Sequence, residues 1–284
     1  MAIRFSICNE LFAADPDPAS PRWPLADQLR FAADVGYDAV ELAPFTLAPS
    51  IDALAVERRR EIARLVREHG LAVAGLHWLL VGPSGLHVNS PDPAVRARTV
   101  AYLEELIRAC ADLGGEVLVF GSPRQRWVLP DLAYEEATRL ALDTFAACAR
   151  EAERRGVTFC LEPLPAPEAN FLTTAAEAIS LVRQIASPSL RMILDVKSMA
   201  SEDRPMPELI REAAPYLAHF HANDANRRGP GFGAVDFRPI FAALAEIGYS
   251  GFVSVEVFDY SPSPEVVARE SLRYLREAQA NPTP

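Results

Sequence analysis

The chain has 284 residues, 50% of them hydrophobic and 23% charged, with a formal net charge of −10. That composition is ordinary for a folded globular protein, and the acidic balance argues against a nucleic-acid binder, which carries a basic face. No apolar stretch reaches the roughly 18 residues of a membrane helix. Asn9 and Glu10 interrupt the only early apolar run, so no secretory signal is read and a cytoplasmic location is the default expectation.

Short apolar, β-branched runs alternate along the chain with longer segments of helical period. Residues 4–8 form the first apolar run. Residues 25–35 follow with helical spacing, and Gly36 is a stop signal. A second strand is read at 38–42, near Glu41. A charged amphipathic helix follows at 53–69, closed by Gly70. Its Arg58, Arg59 and Arg60 lie beside Glu57 and Glu61 and read as a solvated face. The run LAVAGLH ends at His77. A long helix is predicted over 93–113, then EVLVF, then a helix over 133–155. The second half repeats the theme. VTFCLE is followed by a helix at 174–187, LRMILD by a short helix at 206–214, YLAHFH by a helix at 236–247, and GFVSVE by a last helix after Pro264, a residue suited to a first helical turn.

Eight strands alternating with eight helices imply a parallel sheet, and eight such units imply a single closed (β/α)8 barrel, an α/β fold. A length near 250 residues is usual for one such domain. Residues 1–280 are expected to form it, with 281–284 as a frayed tail. Cys8, Cys110, Cys148 and Cys160 sit in apolar stretches without C-x-x-C spacing and read as core residues.

The last four apolar runs each stop on a residue able to bind a metal: Glu162, Asp195, His221 and Glu256, at gaps of 33, 26 and 35 residues. A strand, a helix and two loops take roughly 30 residues, so consecutive strands 5 to 8 each deliver one candidate to the C-terminal mouth of the barrel, where catalytic groups sit. Taken singly, Glu162 and Asp195 also read as strand-end carboxylates that cap helices or pair with arginine, and His221 as a core histidine. Together, three carboxylates and one imidazole on one point repel without a cation. Such a set suits one divalent ion, Mn²⁺, Mg²⁺, Co²⁺ or Zn²⁺. Its expected role is that of a Lewis acid and template that stabilises an enediolate while a glutamate on each side of the substrate takes and returns a proton. Glu162 and Glu256 are the natural pair.

On these residues the chain resembles the xylose isomerase-like TIM-barrel superfamily, in the branch holding ketose 3-epimerases, inosose dehydratase, inosose isomerase and hydroxypyruvate isomerase. The resemblance implies an E…D…H…E metal set at Glu162, Asp195, His221 and Glu256, with the two glutamates as the acid/base pair. It also implies that Arg227, six residues past His221 in HANDANR, binds substrate oxygens. One departure stands out. Ketose 3-epimerases carry D-x-x-H after strand 6, and here the segment is Asp195-Val196-Lys197-Ser198, which puts a cation beside the metal set and suits a substrate bearing a carboxylate or phosphate.

Other residues have two readings each. His77 and Glu41, at the ends of strands 3 and 2, are expected either to face substrate or to support the site. Gln125 and Arg126, in GSPRQR after strand 4, are expected to contact substrate, against a solvated loop. GPGFG at 229–233 lacks the context of a phosphate loop and reads as a mobile lid or turn. Phe12, Trp78 and Phe258 either wall the pocket or pack in the core.

The expected function is a divalent-metal-dependent isomerase or epimerase of a small keto-sugar or related polyhydroxy carbonyl compound. The alternative is a metal-assisted dehydratase of inosose or dehydroshikimate type, in which the enolate expels a β-hydroxyl. A DNA-repair endonuclease of the same superfamily is opposed by five histidines in all and by the acidic charge. A non-enzymatic binding barrel is the remaining class. The expected partner is a small carbohydrate or polyol-derived substrate, with no nucleic acid and no membrane. A homo-oligomer stays open, because relatives commonly assemble through the mouth-side surface.

Overall fold

The computed structural model describes residues 3–283; Met1, Ala2 and Pro284, the end of the predicted tail, lie outside the described residues. Eight strands run in chain order as a closed barrel: β1 Arg4–Cys8, β2 Ala39–Leu42, β3 Ala72–Leu76, β4 Val117–Phe120, β5 Thr158–Leu161, β6 Leu190–Asp195, β7 Leu217–Ala222 and β8 Phe252–Val255. The helices are α1 Leu25–Val35, α2 Val56–Glu68, α3 Pro93–Leu113, α4 Tyr134–Arg155, α5 Ala175–Ile185, α6 Val196–Met199, α7 Met206–Ala213, α8 Phe237–Glu246 and α9 Pro264–Ala280. The chain is a single (β/α)8 barrel, as the alternation predicted. The four-residue α6, directly after β6, was not predicted, because one turn is too short to carry a period.

Two compact units make up the chain. The first comprises Met1–Leu42, Arg64–Ala74 and Leu194–Pro284. Within it β1 pairs in parallel with β2 and with β8, and β8 with β7, in a register that sets Ser6 opposite Ala39 and Ser254 opposite both Ser6 and His221. Phe5, Ile7, Leu29, Phe220, Phe237, Phe252 and Leu272 are all buried here. Side-chain caps start its helices where the sequence offers them: the Asp236 carboxylate accepts from Arg238 N–H, and the Ser263 hydroxyl from Val266 N–H. Gly36 ends α1 in the left-handed conformation that only glycine adopts cheaply.

The GPGFG segment belongs to this unit and is a packed strap. Gly229 and Pro230 are buried, and a Cβ on Gly231, itself at φ +85°, would press into the Tyr274 ring on α9. Of the two readings, lid or turn, the segment shows the turn, with Phe232 N–H donating to Gly229 O at 3.1 Å, and these glycines let backbone lie against a helix.

The second unit comprises Ala43–Ala63 and Gly75–Ile193. Here β4 pairs in parallel with β3 and β5, and β5 with β6. Phe120, Phe145 and Phe159 form an aromatic cluster, with Phe120 and Phe145 5.2 Å apart between centroids. Arg59 does not share the solvated face read for its helix. It is 3% exposed and pairs with Glu105 and Asp112 on α3, while its Nε–H donates to Leu54 O at 2.8 Å. Its long stem buries easily, and its fixed fork finds two carboxylates that periodicity does not reveal. All four cysteines are free and buried. Among the described residues no helix is long and apolar enough to cross a membrane.

Candidate metal centre

Four consecutive strand ends carry the candidate ligands. Glu162 stands one residue past β5, Asp195 closes β6, His221 lies in β7 one residue from its end, and Glu256 stands one residue past β8. All four are buried, each offers one ligand atom, and these atoms lie within 4.8 Å of one another.

Each side chain is held. Arg126 Nη1–H donates to Glu162 O at 2.6 Å, and Glu162 N–H to Phe120 O at 3.2 Å. Gly121 is a glycine because a Cβ there would collide with the Glu162 carboxylate. Asp195 Oδ1 caps α6 by accepting from Ser198 N–H at 2.8 Å, and its Oδ2 accepts from Asn223 Nδ2–H at 2.6 Å. His221 Nδ1 lies 3.1 Å from Glu256 Oε2, and its Nε2 lies 3.2 Å from Glu41 Oε1.

The electrostatics follow from this crowding. Burial raises the Asp195 carboxyl above its ordinary range, with Lys197 pulling it back and Glu256 pushing it further up. Burial alone would lower the His221 imidazole, but Glu256 and Glu41 outweigh burial and hold it well above its usual value. Burial likewise opposes ionisation of Glu41, and His219 and His221 reverse that effect, leaving its carboxyl well below the carboxylate range.

The donor set fits a divalent ion. Three carboxylates and one imidazole are hard and borderline ligands of the kind Mg²⁺, Mn²⁺, Co²⁺ and Zn²⁺ take. Burying those carboxylates together is costly without a cation between them. Glu41 facing Nε2 fixes the imidazole tautomer and leaves Nδ1, the nitrogen on the Glu256 side, as the donor for an ion.

The remaining predicted residues fall in different places. Glu41 matches the supporting one of its two readings. It is fully buried, and its carboxylate takes His219 Nε2 at 2.7 Å as well as His221, so it is a support for the imidazoles. Arg126 does not lie in a solvated loop. It is 0% exposed, and its guanidinium donates to the carbonyls of Phe120, Gly121, Glu162 and Leu172. Burial lowers it to about 10, so it remains a cation at neutral pH, used to tie β4 to the loop after β5. Gln125 is half-buried, with Nε2–H on Leu80 O at 3.2 Å. His77 stands one residue past β3 and is fully buried. Phe12 packs against Trp23 and Phe31 in the core instead of walling a pocket. Lys197 is buried and Arg227 exposed, and both charged groups stand over the Phe258 ring.

Two residues of the site went unread in the sequence: His219 and Asn223. Both are buried, and both lie two positions from His221. On a strand, residues two apart share a face, so H-x-H-x-N was the available signal.

Comparison with known proteins gives the family and the fold. A family model described as a xylose isomerase-like TIM barrel matches residues 29–278. The chain is 30% identical over 233 residues to a D-psicose 3-epimerase of Agrobacterium fabrum, covering 80% of this chain and 76% of that protein. It is 29% identical over 230 residues to a D-psicose 3-epimerase of Ruminiclostridium cellulolyticum, covering 80% and 75%. The fold superposes on a crystal structure of a D-psicose 3-epimerase in the presence of D-fructose with a TM-score of 0.84 at 22% identity, over 98% of this chain and 99% of that one.

Proposed function

The chain belongs to the xylose isomerase-like TIM-barrel family, and from that premise we propose that it is a divalent-metal-dependent epimerase or isomerase of a small keto-sugar or related polyhydroxy carbonyl compound. The observation that carries the reading is the buried set Glu162, Asp195, His221 and Glu256, with ligand atoms within 4.8 Å of one another. The naming of its relatives as D-psicose 3-epimerases supports a sugar epimerase over the other chemistries of the fold.

A divalent ion held by those four residues would supply a Lewis acid for the carbonyl oxygen of the substrate. The protein supplies the rest. One of Glu162 and Glu256 removes the proton from the carbon beside the carbonyl, giving an enediolate, and the other returns a proton to the opposite face, inverting that carbon. Glu41 keeps His221 in one tautomer. Asn223 fixes both Asp195 and, through its Oδ1, the backbone N–H of Lys197 at 2.7 Å. Gly121 and the Arg126 clamp set where the Glu162 carboxylate can lie.

The test is a panel of keto-sugars, keto-inositols and their phosphates, assayed with Mn²⁺ in heavy water. Solvent deuterium at the inverted or isomerised carbon, lost in Glu256→Gln, is the expected result. A product one water lighter than its substrate would instead assign the dehydratase. No turnover of the panel, with Mn²⁺ bound, would count against the proposal.

A further inference from the structure

Two neighbouring strands leave the barrel through a strained residue. β3 pairs in parallel with β4, with Leu76 opposite Leu118. Two residues past the end of β3 stands Trp78, at φ +53°, and two residues past the end of β4 stands Ser122, at φ +30°. The left-handed region costs a non-glycine residue energy, and for a side chain as bulky as tryptophan it is an outlier. Such strain persists only where the surrounding structure holds it, and it gathers at sites that bind or react. Both residues follow strand ends on the C-terminal face, where the active sites of such barrels lie. Gly121, between β4 and Ser122, is the residue against which the Glu162 carboxylate rests.

The strained backbone at Trp78 carries a large apolar surface that stays partly open. Leu79 and Leu80 beside it are fully buried, but the Trp78 side chain is only half-buried. Its ring neighbour is Phe45, in the turn Pro44–Thr46 after β2, which is also half-buried. The two ring centroids lie 5.8 Å apart, with the planes inclined at 48°. Packing alone would bury both rings, and chance exposure would need no strain. A strained backbone that holds two aromatic rings half open on the face of the active site fits neither.

The chemistry of that surface says what it takes. An aromatic face is negative and attracts positively polarised edges. The C–H bonds of a sugar, drawn positive by the oxygens on the same carbons, are such edges. A closed ring turns several of them to one face. An extended open chain spreads them around its axis, between hydroxyls, and offers no such face. We infer that this site takes a substrate whose ring stays closed, a keto-glycoside or a keto-inositol, with one C–H face laid on Trp78 and Phe45 and the carbon that exchanges its proton toward Glu162. The inference deepens the epimerase reading above and rests on it.

The experiment sets a methyl keto-glucopyranoside and a keto-inositol against D-fructose and D-psicose, which must open to show a carbonyl, on the Mn²⁺-loaded enzyme. The first readout is kcat/KM in the natural protein and in Trp78→Leu and Phe45→Leu, which keep an apolar side chain in place. An aromatic stack discriminates by up to about tenfold, so a closed-ring compound is expected to lead by about that factor, and each variant is expected to erase most of the lead. The second readout is tryptophan fluorescence. Binding of the closed-ring compound is expected to quench it, and the quench is expected to be lost in Trp78→Phe, although Trp23 and Trp127 remain. An equal or greater rate for the ketohexoses, a ratio unmoved in both leucine variants, or a quench unchanged in Trp78→Phe overturns the inference and leaves the epimerase reading standing. If no compound is turned over, the epimerase reading is what fails. The fluorescence titration then decides this inference separately: a quench lost in Trp78→Phe supports it, and no quench, or one that persists in that variant, overturns it.

Discussion

Glu41→Gln isolates the support of the metal centre from the ligands themselves. The substitution keeps the volume of the side chain and removes its charge. In the natural protein one buried carboxylate accepts from His219 Nε2–H at 2.7 Å and from His221 Nε2–H at 3.2 Å. A glutamine offers one acceptor oxygen for those two donors and turns an N–H₂ group toward the other. Loss of such an outer partner typically weakens metal binding by about 10- to 100-fold, or roughly 1.4–2.7 kcal/mol. The pH dependence sharpens the test. Glu256 and Glu41 hold the free His221 imidazole protonated to a pH well above its ordinary value, so metal uptake below that pH must release a proton, and affinity rises with pH until the raised pKa is passed. Glu41→Gln removes one of the two charges responsible, and the rise ends at lower pH. The variant therefore binds weaker than the natural protein above that pH, and the deficit narrows as the pH falls. Titration calorimetry of Mn²⁺ into the metal-free protein at several pH values, in buffers of different ionisation enthalpy, reads both affinity and protons released. Unchanged affinity across the pH range in a folded Glu41→Gln protein would refute the assignment of Glu41 as the support of His221.

Two further substitutions test other parts of the site. Gly121→Ala places a methyl group against the Glu162 carboxylate and should cost metal affinity tenfold or more on the scale of a displaced ligand; a circular dichroism spectrum and Mn²⁺ titration that both match the natural protein would refute the close approach. Arg126→Met takes a buried donor from the carbonyls of Gly121 and Glu162, while Phe120 O keeps the N–H of Glu162, at about 1–3 kcal/mol for each group left short of a donor. Urea unfolding should show a loss on the order of 3 kcal/mol, and a midpoint within error of the natural protein would return Arg126 to the solvated loop that its sequence context suggested.

The barrel was legible because its signals are local. The period and terminating glycine of α1 and the long apolar stripe of α3 put their bounds at 25–35 and 93–113, where the structure has them. The predicted helix at 53–69 begins only at Val56, because Ile51–Ala53 forms a separate 3-10 turn ahead of it. The four ligand candidates were legible because each ends an apolar run. The arginines were not. Arg59 and Arg126 sit in stretches that read as solvent-facing, and what buries them, two carboxylates of α3 in one case and a ring of carbonyls in the other, is distant in sequence. Glu41 was seen at its strand end with two readings left open, since nothing in residues 38–42 shows that two imidazoles of β7 lie against it.

β7 organises the site more than any other strand. Its stripe His219, His221 and Asn223 occupies one face at a spacing of two, and each member reaches a different neighbour. His219 holds Glu41 on β2. His221 spans Glu41 and Glu256, the residue that follows β8. Asn223 joins Asp195, at the end of β6, to the first turn of α6. One strand thereby fixes the support, two of its fellow ligands and the backbone of Lys197. Its register is set by pairing with β8, where His221 lies opposite Ser254 and Ala222 opposite Val255. A slip of one residue would turn all three side chains to the other face and leave Glu41, Asp195 and Glu256 buried without their partners. Ser254, buried and paired opposite His221 in that register, is a small residue beside the imidazole, and a larger side chain there is expected to crowd the ring.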